Sequence, residues 1–267
     1  MLCQLHYLVG QDFIFTKTSK TMARSKNYIP YQTEQYKISR SGIQLFLECP
    51  RCFYLRSRHG VSRVSGPPFS LNVAVDALLK KEFDYYRKRK EPHPYMVEYG
   101  IDAIPYETEH MDDWTYNFHG VIHQHEKFGF HLYGAVDDLW IDNKTGEIIV
   151  VDYKATSKDG EVSLDADWQI AYKNQMEIYQ YLLRNNGLKV SDTGWFVYCN
   201  GVKANDEFNG KLDFDVKLIS YTGNTDWIEP TLAKIKDCLD SEAIPNASES
   251  CKHCSYVIKY NLAVSDS

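Results

Sequence analysis

The run Ile148-Ile149-Val150-Val151 is apolar at every position and then ends abruptly in Asp152-Tyr153-Lys154. A strand apolar on both faces belongs in the middle of a sheet. Residues two apart on a strand share a face, so Asp152 and Lys154 stand side by side at its exit. Upstream lies Gly134-Ala135-Val136-Asp137-Asp138, and the turn Asp142-Asn143-Lys144-Thr145-Gly146 makes the two segments antiparallel neighbours. An acid from one then meets the acid from the other, although strand alternation does not choose between Asp137 and Asp138. Two carboxylates at close range repel unless a cation sits between them. Oxygen donors select a hard divalent ion, Mg²⁺ or Mn²⁺. Such an ion lowers the pKa of a bound water and polarises a phosphoryl oxygen. Lys154 could position or deprotonate that water and stabilise charge building on phosphorus. The plain alternative is a structural Asp152–Lys154 ion pair at a strand end.

A second constellation is built from sulfur. Of the seven cysteines, Cys49-Pro50-Arg51-Cys52 and Cys251-Lys252-His253-Cys254 form two C-x-x-C pairs. Four thiolates make a tetrahedral site for zinc or for an iron–sulfur cluster; free thiols are the other reading. Cys238 is a further possible ligand, while Cys3 and Cys199 have no evident partner. A clamp here closes a loop of roughly 200 residues, and its binding energy acts as folding energy.

The elements that must position these groups follow from periodicity. Ser39-Arg40-Ser41-Gly42 before Ile43, Leu45, Phe46 and Leu47 predicts a capped helix leading to Cys49. A helix over 69–87 carries Leu71, Val75, Leu78, Leu79, Phe83 and Tyr86 on one side. Prolines make 91–110 a loop or insertion. Strands are expected over 114–124, 128–141 and 147–154. Helices follow over 168–185 and 225–241, and strands over 194–199 and 214–221. That order indicates one α/β domain with a mixed sheet, over 38–260, preceded by a loosely ordered arm (1–37) and followed by a short tail (261–267).

In this order the motifs resemble the PD-(D/E)XK nuclease superfamily, and specifically its RecB-like branch, which includes the CRISPR-adaptation nucleases. Ser41-Gly42 with Cys49-Pro50 is similar to the opening helix. Asp76, within Asn72-Val73-Ala74-Val75-Asp76-Ala77-Leu78-Leu79, stands where many members have a metal-binding histidine. Gly134-Ala135-Val136-Asp137 resembles the first acidic motif, Val151-Asp152-Tyr153-Lys154 the (D/E)-x-K motif, and Gln175-Met176-Glu177-Ile178-Tyr179 the Gln-x-x-x-Tyr helix. The likeness spans about Ser39 to Tyr256. It implies a restriction-endonuclease-like core, a central mixed β-sheet flanked by helices. It also implies metal-dependent hydrolysis of DNA phosphodiester bonds, in repair, recombination or defence. Single strands or duplex ends are then the substrate, and a helicase or recombination protein a possible partner.

Carried over by position, Asp137, Asp152 and the Tyr153 carbonyl hold the Mg²⁺ or Mn²⁺, Asp76 adds a further ligand, and Lys154 is the catalytic lysine. Asp76 could instead pair with Lys80. Gln175 contacts a catalytic carboxylate or the nucleic-acid backbone, or is a satisfied core amide, and Tyr179 could equally be core. Some relatives clamp their termini with a 4Fe–4S cluster held by one upstream and three downstream cysteines. Here the arrangement is two and two, with no cysteine near Tyr260.

Composition narrows the field. With 267 residues, 43% hydrophobic and 25% charged, the chain can bury a real core, which excludes wholesale disorder, a collagen-like fibre and a coiled coil. No run approaches a membrane span. The first residues lack a basic start and carry Asp12, which reads against an export signal, so a cytoplasmic protein is expected. Formal charge is −6, yet residues 51–90 hold ten basic side chains against three acidic ones. Arg87, Lys88, Arg89 and Lys90 are expected to guide a phosphate backbone. A non-catalytic DNA-binding or scaffold protein on the same fold is the competing reading, and a cysteine-metal redox sensor a third.

Overall fold

The computed structural model describes residues 27–67 and 69–265. Strand β1 (Tyr36–Ser39) enters α1 (Arg40–Glu48), and Cys49 both ends that helix and opens α2 (Pro50–His59). Next come α3 (Ser70–Arg89), α4 (Pro94–Glu98), β2 (Ala103–Pro105), α5 (Met111–Thr115), β3 (Val121–His125) and β4 (Phe130–Gly134). The chain continues through β5 (Asp138–Asp142), β6 (Ile148–Thr156), α6 (Ile170–Asn185), β7 (Thr193–Gly201), β8 (Phe214–Thr222), α7 (Ile228–Asp240) and α8 (Lys252–Ser265). The α1 start is capped as its sequence predicts, the Ser39 hydroxyl accepting the Gly42 N–H at 3.0 Å.

A five-stranded sheet runs β2-β5-β6-β7-β8, and a three-stranded sheet β1-β4-β3 lies beside it. In the larger sheet β5 pairs antiparallel with β6, whereas β6 and β7 are parallel across the α6 crossover. The sheet is therefore mixed, and apolar layers cover both faces. Val75, Leu79 and Phe83 of α3 pack on Ile149, Val151 and Tyr153. Ile148 and Val150 point the other way, into the layer that holds Met176, Ile178 and the inner face of α7. Period-two alternation thus assigns Asp152 and Lys154 to the α6 side.

Several expected boundaries move. The strand expected over 128–141 is two strands in different sheets, β4 and β5, separated by a bend at 135–137. The backbone is tightly packed at the break: Gly120, at φ +68°, lies so near Gly134 that a Cβ on it would stand 2.5 Å from the Gly134 carbonyl. The 91–110 segment contains α4, with Pro94 at its first turn, and β2, whose edge position tolerates Pro105. Its neighbour, expected as a strand over 114–124, is α5 followed by β3. Residues 27–37 are no loose arm, because Tyr28 is buried, its hydroxyl bonds Asp240, and β1 pairs with β4. The remainder of the expected arm lies outside the described residues. At the other end α8 continues through residue 265, where a tail was expected.

Candidate active site

The bend at 135–137 turns Asp137 out of the β-ladder and toward the exit of β6. The last ladder pair there is Asp138 with Val151. Two residues further along β6, Asp137 Oδ2 accepts the Tyr153 N–H at 2.9 Å, supplying the acceptor that β5 does not. Asp152 is fully buried on the neighbouring strand. Its Oδ1 accepts from Gln175 Nε2 at 2.7 Å, and that same amide group reaches the Tyr179 hydroxyl at 3.1 Å. Oδ2 of Asp152 is in close ion-pair contact with the Lys154 ammonium. The Lys154 ammonium also lies 4.5 Å from the centre of the Tyr172 ring.

This arrangement strains the ordinary charge balance. Burial pushes the Asp152 carboxyl up to about 7, with the Lys154 ammonium pulling it down and the Asp137 carboxylate adding to the rise. Lys154 is disfavoured by burial, yet the carboxylates of Asp152 and Asp137 keep its pKa above the usual lysine value. Two neighbouring carboxylates, one of them fully buried, are a donor set that suits a hard divalent ion.

The two candidate aspartates of the 134–138 motif separate cleanly. Asp138 faces α3, where Arg87 Nη2 donates to its Oδ1 at 2.6 Å, the Tyr153 hydroxyl to its Oδ2 at 2.8 Å, and the Leu139 N–H to Oδ1 at 2.7 Å. Its oxygens are occupied, and it is Asp137 that lies with Asp152 and Lys154. The Tyr153 side chain accordingly belongs to the opposite face, packed against Phe83.

Asp76 sits on α3 and pairs with Lys80 at 3.0 Å, the alternative left open by its spacing, while Lys80 also stands 3.9 Å from Asp137 Oδ1. Burial, then the Asp137 charge, raises the Asp76 pKa against the pull of Lys80. Among the described residues, the one set of three or more cysteine, histidine or carboxylate ligands drawn together is the cysteine quartet; Asp76 does not close with Asp137 and Asp152 into another.

Gly134 explains its own place in the motif, since a Cβ there would meet the Tyr179 ring at 2.8 Å and Arg40 Cβ at 3.2 Å. Tyr179, fully buried, holds its proton well above the usual tyrosine range, chiefly through burial. Sequence reasoning did not single out Tyr172 or Arg40. The i,i+3 spacing of Tyr172 and Gln175 on α6 was the available signal for the first. Arg40 follows the Ser39 cap, so its place beside Gly134 needed the pairing of β1 with β4.

Within the expected basic guide at 87–90, Arg87 is the residue the structure corrects. Arg87 is buried against Asp138, Arg89 is paired with Glu91 and Lys90 with Glu107. These residues also lie at the far end of α3 from Asp76, more than ten residues and so roughly 15 Å along the axis.

The four paired cysteines converge. Cys49 Sγ is 3.8 Å from Cys254 Sγ, and Cys52 Sγ is 3.6 Å from Cys251 and 3.5 Å from Cys254. All four are buried. Cys238, on α7, is not among them, and Cys3 lies outside the described residues.

A two-sheet α/β core that gathers an Asp-x-Lys strand end and a second aspartate from the adjoining strand is the architecture of a restriction-endonuclease-like fold. The family model of the PD-(D/E)XK nuclease superfamily matches residues 69–258, and the chain belongs to that superfamily. No curated protein matches it. Among the described residues no helix is long and apolar enough to cross a membrane.

Proposed function

We propose that this protein is a divalent-cation-dependent deoxyribonuclease that hydrolyses phosphodiester bonds in single-stranded DNA or at duplex ends, of the RecB-like branch, and serves repair, recombination or defence. The single observation that carries the reading is the meeting of Asp137, the fully buried Asp152 and Lys154 at the end of β6. Asp137, Asp152 and the Tyr153 carbonyl would hold Mg²⁺ or Mn²⁺, with Asp76 a further ligand. Such an ion would supply an activated water and neutralise charge on the phosphoryl group. Lys154 then orients the attacking water and faces the developing charge. Gln175 fixes the Asp152 carboxylate through its 2.7 Å bond, and Tyr179 in turn orients Gln175. Exposed Trp168, edge-on to Tyr172 at the start of α6, offers an aromatic face on which an unpaired base could stack. A helicase or recombination partner is consistent with this branch.

The test is incubation of purified protein with labelled single- and double-stranded DNA, with and without Mg²⁺ or Mn²⁺. Cleavage that needs the ion and stops on its chelation is expected; no cleavage with either ion contradicts the reading. A non-catalytic DNA-binding scaffold is favoured only by the mutual neutralisation of Asp152 and Lys154. It requires salt-dependent DNA binding without cutting.

A further inference from the structure

We infer that the cysteine quartet holds a single zinc ion and not an iron–sulfur cluster, a conclusion independent of the nuclease reading. The geometry decides between them. A tetrahedral zinc with Zn–S bonds of about 2.3 Å separates its sulfurs by about 3.8 Å. The observed contacts are 3.8, 3.6 and 3.5 Å, and every sulfur lies within 4.8 Å of every other. In a 4Fe–4S cube each thiolate stands outward of its own iron, so the four sulfurs are spread well beyond their separation around a single ion. The quartet would have to expand along every edge.

The surrounding backbone resists such expansion. Cys49 is fully buried between α1 and α2, its N–H bonded to the Leu45 carbonyl at 2.9 Å. Cys251 is held likewise, its N–H on the Ser248 carbonyl at 3.0 Å. Each C-x-x-C pair spans the first turn of a helix, α2 or α8, where unpaired backbone N–H groups favour thiolates. Four protein sulfurs leave no open position, the mark of a structural site.

Zinc with four thiolates carries a net charge of about −2, and a partly buried counter-charge is in place. Arg63 Nη2 reaches Cys251 Sγ at 3.5 Å, and its Nη1 is held by Glu48 at 2.6 Å. Its Nε is buried without a partner. Arg63 is therefore a positioning residue for the sulfur cage.

The metal does mechanical work. Cys254 is the one buried residue of α8, while Tyr256, Val257, Tyr260, Leu262 and Val264 are exposed. Packing alone holds that helix weakly, so the ion is its principal tether to the α1–α2 junction. One pair lies before the residues that match the superfamily model and the other within them, so the ion closes the chain across the core.

The test uses the full chain produced with both iron and zinc supplied and purified without oxygen, so that no cluster is lost to air. Metal and acid-labile sulfide are then measured. One zinc per chain, no sulfide and a colourless solution are expected. Iron with sulfide at about four each, a single iron, or four titratable thiols without metal would overturn the inference. Stripping zinc with a mercurial and a chelator should open α8 to proteolysis within Lys252–Ser265; unchanged resistance there overturns the tether. Arg63→Gln should speed zinc loss to a competing chelator by about tenfold or more. Arg89→Gln, at an exposed arginine paired with Glu91, should leave it unchanged, and equal loss from both overturns the role of Arg63.

Discussion

Asp152→Asn is expected to lower cleavage by about a thousandfold or more while leaving a folded protein. Asparagine keeps the oxygen that accepts from Gln175 and fills the same volume, but it removes the charge that an ion requires. Lys154→Met provides the contrast. It removes the ammonium that competes for Asp152 and should cost about a hundredfold or more in rate, while metal binding is retained or strengthened. The two variants therefore separate holding the ion from using it. Circular dichroism and single-turnover cleavage check them. Wild-type rates in Asp152→Asn, or loss of metal in Lys154→Met, contradict the assigned roles.

The second large effect is on stability. Arg87→Ala leaves Asp138 as a buried charge without its partner and should destabilise the fold by about 3–5 kcal/mol, measured by urea unfolding. Arg87 Nη1 also serves the Tyr106 carbonyl at 2.6 Å, so the helix and the 105–106 segment loosen together. Replacing the whole polar cluster, Arg87→Met with Asp138→Leu and Tyr153→Phe, should recover much of the loss because no buried group is then left unpaired. A single-variant effect within about 1 kcal/mol would show instead that Arg87 is an ordinary surface residue. The outcome also bears on function, since it removes Arg87 from any phosphate-guiding surface and Asp138 from the ion.

How far the site was legible depends on which physical signal each residue carried. The β6 run could be read because burial on both faces leaves an unbroken apolar string, and its end in Asp152-x-Lys154 follows from alternation. The choice of Asp137 over Asp138 could not, because alternation is suspended at the 135–137 bend. Beside that bend Gly120 lies against Gly134, a contact invisible along the chain. Arg87 misled because a count of charges gives no direction, and one turn of helix separates a solvated arginine from a buried one. The cysteine pairs were readable from spacing as a candidate metal site, with free thiols the other reading, whereas their convergence into one buried quartet belongs to the folded state. The break of 128–141 into two sheets was hidden because both halves alternate as a continuous strand would.

The claim beneath all of this is that Asp137 and Asp152 share a divalent ion. Calorimetric titration of Mn²⁺ into wild type and Asp152→Asn, at about pH 6 and about pH 8, addresses it most directly. The Asp152 carboxyl, raised to about 7 by burial, is largely protonated at the lower pH and must release that proton to bind, so wild-type affinity should rise with pH. Asp152→Asn should lose the site at both. Binding that is indifferent to Asp152, or absent from the wild type at about pH 8, would contradict the account.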